Sequence, residues 1–486
     1  MFFNSIDFAI FLPIVFILYW FVANKKLKLQ NLLIVASSYL FYGWWDWRFL
    51  SLILFSTLID YSVGVRLQKE ERPSKRKLLL WISIFINLGF LGFFKYYNFF
   101  LDNFVSAFSF VGRDINSNSL NIILPVGISF YTFQTLSYTI DVYRKKLKPT
   151  KDVIAFTAFV SFFPQLVAGP IERATNLLPQ FYKKRDFDYT KTVDGMRQIL
   201  WGLFKKIVIA DNCALFANRI FNNSGDYPGS ILVLGVVFFS FQIYGDFSGY
   251  SDIAIGTSRL FGFNLKQNFS FPYFSRSIAE FWRRWHISLS TWFRDYLYIP
   301  LGGSRGGVWV KVRNTFIIFV ASGFWHGANW TFIIWGALNA IYFLPSLLLQ
   351  KNRTNIDIVA RGKKTPNLKE LFHIIITFWL TMLSWIFFRA ENVTHALSYI
   401  SAIFSKSILT LPKGSDFTGT AIHPFTMFGL LGCFILIEWG GREYEFALAN
   451  FGLKWRRIWR YSIYYVIIVA LFWFGQEEQE FIYFQF

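Results

Sequence analysis

Charge is scarce in this sequence, and acidic charge is the scarcest. Only 16% of the 486 residues are charged, and 29 Asp and Glu residues stand against 49 Lys and Arg residues. An average soluble domain is about 25% charged. Hydrophobic residues make up 54% of the chain, and many apolar runs approach the roughly 20 residues that a helix needs to cross a bilayer. The composition therefore predicts an all-α, polytopic membrane protein.

Cysteine and the common catalytic motifs are also scarce or absent. The two cysteines, Cys213 and Cys433, lie in separate apolar segments, which argues against a disulfide framework or a zinc site. The sequence contains no HExxH, CxxC, GxSxG or usable GxGxxG motif. Zinc hydrolases, thiol oxidoreductases, serine hydrolases and dinucleotide enzymes therefore lack their characteristic residues here. We predict no bound metal or cofactor.

The net charge of +20 is distributed unevenly. Lys and Arg concentrate in loops that alternate with nearly neutral connections; these basic loops are residues 24–28, 66–77, 144–151, 183–191, 266–313, 351–369 and 442–460. This alternation is typical of cytoplasmic loops under the positive-inside rule, so it does not indicate nucleic-acid binding. With these loops inside, both termini are predicted to lie on the outer face, and basic residues can meet anionic membrane lipids.

The apolar runs predict about twelve crossings, with eleven or thirteen as alternatives. We place them near residues 6–23, 29–43, 49–65, 78–101, 122–142, 195–217, 230–250, 315–330, 332–349, 371–390, 421–440 and 461–474. We find no internal repeat, and we treat residues 1–486 as one membrane domain. Its parts are N-terminal helices (1–150), a core (151–350) and C-terminal helices (351–486).

Three segments do not fit simple crossings. Residues 153–170 and 244–262 are apolar but contain Pro, Gly or Asp, and we predict that both are re-entrant segments that are buried in protein or line a water-filled cavity. Residues 277–300 predict an amphipathic helix in the membrane interface. Its apolar face carries residues at helical spacing, namely Trp282, Trp285, His286, Leu289 and Phe293.

Two of the five histidines stand in unusual surroundings. His326 lies in SGFWHGANW, where it could pack between helices as a neutral ring or act as a general base. His286 lies on the apolar face of the interfacial helix, where it could anchor at the headgroups or face a cavity near His326. Polar side chains within membranes are costly, which favours a functional role for His326.

Several other polar residues have simpler interpretations. The sequence PLGGSRGG at 300–307 could contact phosphate, but a flexible turn is the simpler interpretation. The arginines near it could be determinants of topology or hosts for a phosphate-bearing ligand; they are Arg276, Arg283, Arg284, Arg294 and Arg305. Aspartates in apolar segments more plausibly cap helices or pair with Lys and Arg near the interfaces than form a proton relay; they are Asp60, Asp141, Asp211, Asp246 and Asp252.

Two blocks carry a resemblance to a known family. WRRWHISLSTWFRDYLYIPLGG at 282–303 and SGFWHGANWTFIIWGALNA at 322–340 resemble the membrane-bound O-acyltransferase (MBOAT) superfamily, in particular its bacterial alginate O-acetylation, AlgI-like branch. Shorter matching pieces lie along the rest of the chain, at 38–47, 165–172, 242–252, 268–275 and 481–486. The resemblance implies the MBOAT fold, with about 11–13 transmembrane helices, re-entrant segments and an interfacial helix.

The resemblance also implies a reaction. Family members of this branch transfer an acyl group, usually acetyl, from cytoplasmic acyl-CoA through the membrane for O-acetylation of a cell-surface polysaccharide or cell-wall polymer. His326 matches the catalytic histidine of the family, and His286 matches the second histidine of the same centre. Trp325 and Asn329 belong to the matched motif and are candidate substrate-binding residues.

The same resemblance implies partners and a location. Because CoA is polyanionic, arginines near the inner surface are candidate hosts for its phosphates; we name Arg283, Arg284, Arg294 and Arg305. We expect an acetyl-CoA donor, a polysaccharide acceptor, an outer-face acetyltransferase of the SGNH type as partner, and location in the bacterial cytoplasmic membrane. The alternative from another class is a transporter or flippase of a lipid-linked glycan.

Overall fold

The structure is a computed structural model. It describes residues 1–112, 119–167, 169–413, 417, 422–475, 479 and 481–482. Across these ranges every regular element is a helix and there is no β-strand, which confirms the all-α fold class. Of the C-terminal motif at 481–486, only Phe481 and Ile482 are among the described residues.

The described chain forms two compact units. The first comprises residues 1–192 and 257–266, and the second comprises residues 193–256 and 267–486. The subdivision at residues 150 and 350 stays a prediction. We describe each unit in turn.

The first unit begins where Ser5 caps the first helix by accepting a hydrogen bond from the Phe8 N–H. Its helices are α1 (Ile6–Ile17), α2 (Leu27–Asp46), α3 (Leu50–Lys69), α4 (Pro73–Leu91), α5 (Tyr97–Phe110), α6 (Ile128–Tyr143), α7 (Val153–Ser161), α8 (Phe163–Leu166) and α9 (Ala174–Leu177).

A buried aspartate joins three helices of this unit. Asp60 on α3 accepts hydrogen bonds from Ser83 and from Asn87 (2.9 Å) on α4 and from Thr139 (2.9 Å) on α6. Its side chain is fully buried. The expectation that this aspartate caps a helix or pairs with a cation is therefore wrong. Because burying a carboxylate is costly, hydroxyl and amide donors satisfy it instead.

The segment at 153–170 is broken, as its Pro and Gly residues predict. Asp152 caps α7 by accepting from the N–H groups of Ile154 (2.9 Å) and Ala155 (3.0 Å). Helix α7 ends at Ser161, because the next residue, Phe162, has a ψ of 104°, which is not helical. Helix α8 follows, with Pro164 in its first turn. Most of the segment is buried in protein. Its re-entry by the same membrane face stays a prediction.

The second unit contains the longest helix among the described residues, of 32 residues. The helices lying wholly or mostly in this unit are α10 (Tyr189–Leu203), α11 (Asp211–Asn222), α12 (Gly229–Leu260), α13 (Ile278–Arg284), α14 (Ile287–Phe293), α15 (Val308–His326), α16 (Trp330–Leu348), α17 (Leu368–Arg389), α18 (Val393–Ile403), α19 (Pro424–Gly441) and α20 (Arg457–Trp473).

The prediction of a re-entrant segment at 244–262 is wrong, because most of this segment continues α12 without a break. Its glycines allow close helix packing: a Cβ on Gly249 would lie 2.8 Å from the Gly202 carbonyl oxygen on α10. Its Asp252 pairs with Lys205 at 2.5 Å. Small residues let helix backbones approach within membranes, so glycine here marks a contact rather than a break.

The chain is a multi-pass membrane protein. Within the described residues, seven helical segments are long and apolar enough to cross a membrane: Ile6–Lys25, Leu27–Lys69, Pro73–Phe110, Gly229–Leu260, Trp330–Leu348, Leu368–Arg389 and Pro424–Gly441. They contain eight of the twelve predicted spans, since Leu27–Lys69 holds two of them around a short turn at Trp47–Phe49. The other four predicted spans correspond to α6, α10 with α11, α15 and α20, which are shorter or more polar. The total of about twelve stays a prediction.

Candidate active site

The segment at 277–300 contains two short helices, α13 and α14, and the prediction of one continuous helix is wrong. Trp285 is extended and His286 has a φ of +43°, in the left-handed region. An extended stretch enters the break: the Ile287 N–H donates to the Asn268 carbonyl (2.9 Å), and the Ser270 N–H donates to the Arg284 carbonyl (3.0 Å). These bonds replace part of the helical pairing that is lost at the break.

The apolar face of this segment is covered by protein. Trp285 and His286 are each 1% exposed, and Leu289 and Phe293 are also buried. The interpretation of His286 as a headgroup anchor is therefore wrong. The alternative, in which the face points into the protein towards His326, agrees with the structure.

His286 is held by one amide and several rings. Its Nδ1 lies 3.1 Å from Oδ1 of Asn268. The ring of Phe247 packs edge-on against it at 4.6 Å, and the Trp325 ring lies 6.0 Å away. Burial lowers the pKa of His286 to about 3, so the ring is neutral at physiological pH.

His326 is the last residue of α15 and is 3% exposed. Rings surround it, with centroids 4.9 Å away for Trp325, 5.2 Å for Trp335 and 5.4 Å for Phe388. The helix ends there because the next residue, Gly327, is extended. A Cβ on Gly327 would lie 2.1 Å from the Phe332 ring. This close contact explains why a small residue follows the histidine.

The structure brings the two histidines together. The centroids of the His286 and His326 rings lie 6.4 Å apart, although forty positions separate them in sequence. Both rings lie inside the second unit and neither faces lipid. Two imidazoles at this distance could act on one bound group, since a catalytic base must come within hydrogen-bond reach of the proton it accepts.

A cavity of about 530 Å³ lies within the second unit, and neither histidine is among the residues that line it. Its walls include Trp282, Ile287, which follows His286, and Ser322, which lies one turn before His326. The Trp282 ring lies 5.6 Å from Trp335, which packs on His326. The volume is in the range of small-molecule sites.

Two of the four arginines predicted to bind phosphate line this cavity, namely Arg283 and Arg294. Arg283 donates to the carbonyls of Asn352 (2.7 Å) and Thr354 (2.8 Å), and Arg294 pairs with Asp295 at 2.7 Å. Both arginines line the cavity and are held by protein groups, Arg283 by neutral carbonyls and Arg294 by a carboxylate that balances its charge.

The other two arginines are not among the residues that line the cavity. Arg284 is largely buried and pairs with Glu280 at 2.9 Å. Arg305 is exposed in the glycine-rich turn, where Gly302 and Gly306 have φ values of +101° and +114°. The simpler interpretation of this segment, a turn that requires glycine, accounts for its geometry.

The two remaining candidates differ in their surroundings. Trp325 is 5% exposed, and its ring lies 6.0 Å from that of His286 and 4.9 Å from that of His326. Asn329 caps α16, because its Oδ1 accepts from the Thr331 N–H (3.0 Å) and its amide donates to the Glu391 carbonyl (2.9 Å). These contacts give Asn329 a structural role. Whether either residue touches substrate stays a prediction.

Sequence reasoning missed two residues of this region. Arg353 lines the cavity, but it lies in a basic loop that looked like any other cytoplasmic loop. Asn268 contacts His286, and its segment was noted for resemblance without a role. Only its place in NFSFPYFS, among aromatic residues, could have indicated a buried amide.

The family model described as "MBOAT, membrane-bound O-acyltransferase family" matches residues 144–389, which include both histidines. A protein of Azotobacter vinelandii described as "Probable alginate O-acetylase AlgI" is 37% identical over 91% of this chain and 85% of its own length.

Relatives with other described activities also match. The "Peptidoglycan O-acetyltransferase" of Helicobacter pylori is 35% identical over 81% of this chain and 77% of its own length. The "Teichoic acid D-alanyltransferase" of Bacillus subtilis is 28% identical over 57% of this chain and 71% of its own length. The chain is thus similar to proteins whose names describe acyl transfer to three different polymers.

Proposed function

Because the chain belongs to the membrane-bound O-acyltransferase family, we propose that it transfers an acetyl group from acetyl-CoA for O-acetylation of a bacterial cell-surface polysaccharide or cell-wall polymer. The observation that carries the proposal is the pair of buried histidine rings, 6.4 Å apart. An arginine-lined cavity whose walls include Ile287 and Ser322 supports it. The chain is an O-acyltransferase; the donor, the acetyl group and the acceptor are the proposal.

His326 is the proposed general base. It accepts the proton of an acceptor hydroxyl while the hydroxyl oxygen attacks the thioester carbonyl carbon. The C–S bond then breaks, the new ester forms, and the CoA sulfur leaves with the proton that His326 held. His286 acts beside it as the second histidine of the centre. The surrounding rings exclude water, which protects the acyl group from hydrolysis.

The arginine-lined cavity of the second unit is the proposed donor site. Arg283, Arg294 and Arg353 give it positive charge, which suits the phosphates of CoA. Trp282, Ile287 and Phe319 give it apolar walls, which suit the pantetheine arm. The acetyl end would then reach the histidines past Ile287 or Ser322, which lie next to them along the chain or the helix.

The remaining parts of the proposal concern location and partners. The basic loops support a donor side in the cytoplasm of a bacterial cell, with both termini on the outer face of the cytoplasmic membrane. The acetyl group then emerges outside, where a separate acetyltransferase of the SGNH type would deliver it to the polymer. The names of the relatives support a polysaccharide or cell-wall acceptor.

The test uses purified full-length protein in lipid nanodiscs with radiolabelled acetyl-CoA and an oligosaccharide whose hydroxyl groups can receive the acetyl group. We expect the wild type to bind and cleave acetyl-CoA and the variant His326→Ala to lose cleavage by roughly 100- to 10,000-fold. His326→Gln, which keeps most of the volume, should lose as much. His423→Ala is the matched control, because that histidine is exposed and lies outside the cavity. A wild type that neither binds nor cleaves acetyl-CoA would overturn the proposal and favour a transporter.

A further inference from the structure

We propose that Asn268 is a positioning residue that holds the His286 ring in the tautomer with its proton on Nδ1, so that Nε2 presents a lone pair to the reaction. Asn268 is 0% exposed. The part of the inference that concerns acyl transfer rests on the proposed function. The tautomer itself follows from four contacts around Asn268.

The orientation of the amide is fixed by a donor that cannot change. The backbone N–H of Ser288 lies 3.3 Å from Oδ1 of Asn268. A backbone N–H can only donate, so the atom facing it must be an acceptor. Turning the amide over would place its NH₂ group against this N–H. On the other side, Nδ2 donates to Oγ of Ser251 on α12 at 3.2 Å.

The orientation of the amide in turn determines the histidine tautomer. Oδ1 of Asn268 lies 3.1 Å from Nδ1 of His286 and only accepts hydrogen bonds. The Ser288 hydroxyl has one hydrogen to donate. Its Oγ lies 2.8 Å from Asn268 Oδ1 but 3.5 Å from His286 Nδ1, so the hydrogen is donated to Asn268. A bare Nδ1 would therefore face an oxygen lone pair with no hydrogen between them. Nδ1 must carry the proton, because the neutral ring holds only one, and Nε2 is left without it.

The same residue supports the backbone around the histidine. The Asn268 carbonyl accepts from the Ile287 N–H at 2.9 Å, next to the residue with left-handed φ. Side chain and main chain thus hold His286 from one position. A left-handed non-glycine residue is strained unless its surroundings determine it, and Asn268 supplies part of that determination.

The tautomer has a chemical consequence. A lone pair on Nε2 can accept a hydrogen bond or a proton, for example from the acceptor hydroxyl. It cannot donate an N–H from that atom to the thioester oxygen unless the ring first gains a second proton. His286 therefore orients the acceptor hydroxyl and accepts its hydrogen bond or proton. It does not stabilise the oxyanion.

The test reads the tautomer directly. Full-length protein with ¹⁵N-labelled histidine in nanodiscs gives ring nitrogen shifts that distinguish Nδ1–H from Nε2–H, and His286→Gln identifies the His286 signals. We expect wild-type His286 to be neutral with its proton on Nδ1. In Asn268→Leu the proton should move to Nε2 in a large fraction of molecules, whereas in Asn268→Asp, which keeps an acceptor, it should stay on Nδ1.

Kinetics separate positioning from simple loss of structure. Asn268→Leu should lower kcat roughly 100-fold with little change in KM for acetyl-CoA, since a misplaced tautomer removes an acid–base contribution. Asn268→Asp should recover much of kcat and move its acidic limb to higher pH, because a carboxylate stabilises the imidazolium. Asn212→Leu is the matched control: it removes another fully buried amide, which donates to carbonyl groups, and should leave the His286 tautomer unchanged.

Each outcome decides something. A wild-type proton on Nε2, or one that stays on Nδ1 in Asn268→Leu, would overturn the inference. If the tautomer moves as expected but the wild type transfers no acetyl group, the tautomer assignment stands and the proposed function fails.

Discussion

Two polar clusters buried in the second unit differ in how their polar groups find partners. The ion cluster consists of Lys205, Lys206, Asp211, Asp246 and Asp252. Lys205 pairs with Asp252 at 2.5 Å, and Lys206 pairs with Asp211 at 2.8 Å and Asp246 at 2.9 Å. The histidine pair is instead enclosed by aromatic rings, and a neutral amide holds one of its members.

The difference teaches how to interpret polar residues in an apolar chain. In the ion cluster every charge has an opposite charge beside it, and Asp246 also accepts from the Ile482 N–H at 2.7 Å, close to the C-terminus. Such a cluster ties helices together. Neutral imidazoles in an apolar surrounding keep the capacity to move protons. We therefore expect changes in the ion cluster to affect folding and changes at the histidine pair to affect activity.

The largest effect on folding should come from Lys206→Met. It leaves Asp211 and Asp246 buried without this cation, which costs about 3–5 kcal/mol. Thermal unfolding of the purified protein should show a clear loss of melting temperature, whereas the exposed Lys183→Met should show almost none. Adding Asp211→Asn and Asp246→Asn to Lys206→Met should restore much of the loss. Equal melting temperatures for Lys206→Met and Lys183→Met would contradict the comparison.

A smaller effect should appear on acidification. Burial lowers the pKa of His286 to about 3, while an unfolded histidine titrates near 6.5. The unfolded state therefore binds the proton more readily, so this contribution to stability is complete above pH 6.5 and is lost as pH falls towards 3. At pH 5 the loss is about 2 kcal/mol. Melting temperatures from pH 7.5 to 5 should fall more steeply for wild type than for His286→Gln; parallel curves would argue against a buried neutral ring.

The smallest effect should come from the rim of the cavity. Arg353→Ala should raise KM for acetyl-CoA roughly 10-fold, the size expected for one charge-assisted hydrogen bond, with kcat nearly unchanged. Arg305→Ala is the matched control, because Arg305 is exposed in a turn and is absent from the cavity wall. If Arg305→Ala raised KM and Arg353→Ala did not, the phosphates would bind at the turn and the proposed donor site would be wrong.

The sequence was sufficient for the helical membrane fold and for bringing His286 and His326 into one hypothesis. Composition and long apolar runs determine the first, and the two motif blocks determine the second. It was insufficient at the break before α14, since the apolar spacing continues through Trp285 and His286 as if the helix did. The break depends on backbone hydrogen bonds with Asn268, which accepts from Ile287, and Ser270, which donates to Arg284, and no local pattern reveals them.

Glycine misled the sequence analysis for a related reason. Gly245 and Gly249 suggested an interruption near residue 244, because glycine disfavours helix in isolation. In the structure they let α12 approach the residues around Gly202 on α10, and Asp252 is balanced by Lys205. Whether a glycine breaks a helix or packs it depends on a partner distant in sequence.

The most direct test of the account is a cryo-EM structure of the full-length protein in nanodiscs with a non-hydrolysable analogue of acetyl-CoA, a thioether that keeps the acyl carbonyl as a ketone. The account predicts phosphate density against Arg283, Arg294 and Arg353, and the carbonyl carbon of the acyl group within about 4 Å of the His326 ring, near the separation of reacting atoms. An analogue bound in another part of the molecule, or with its acyl group in contact with neither histidine, would contradict it.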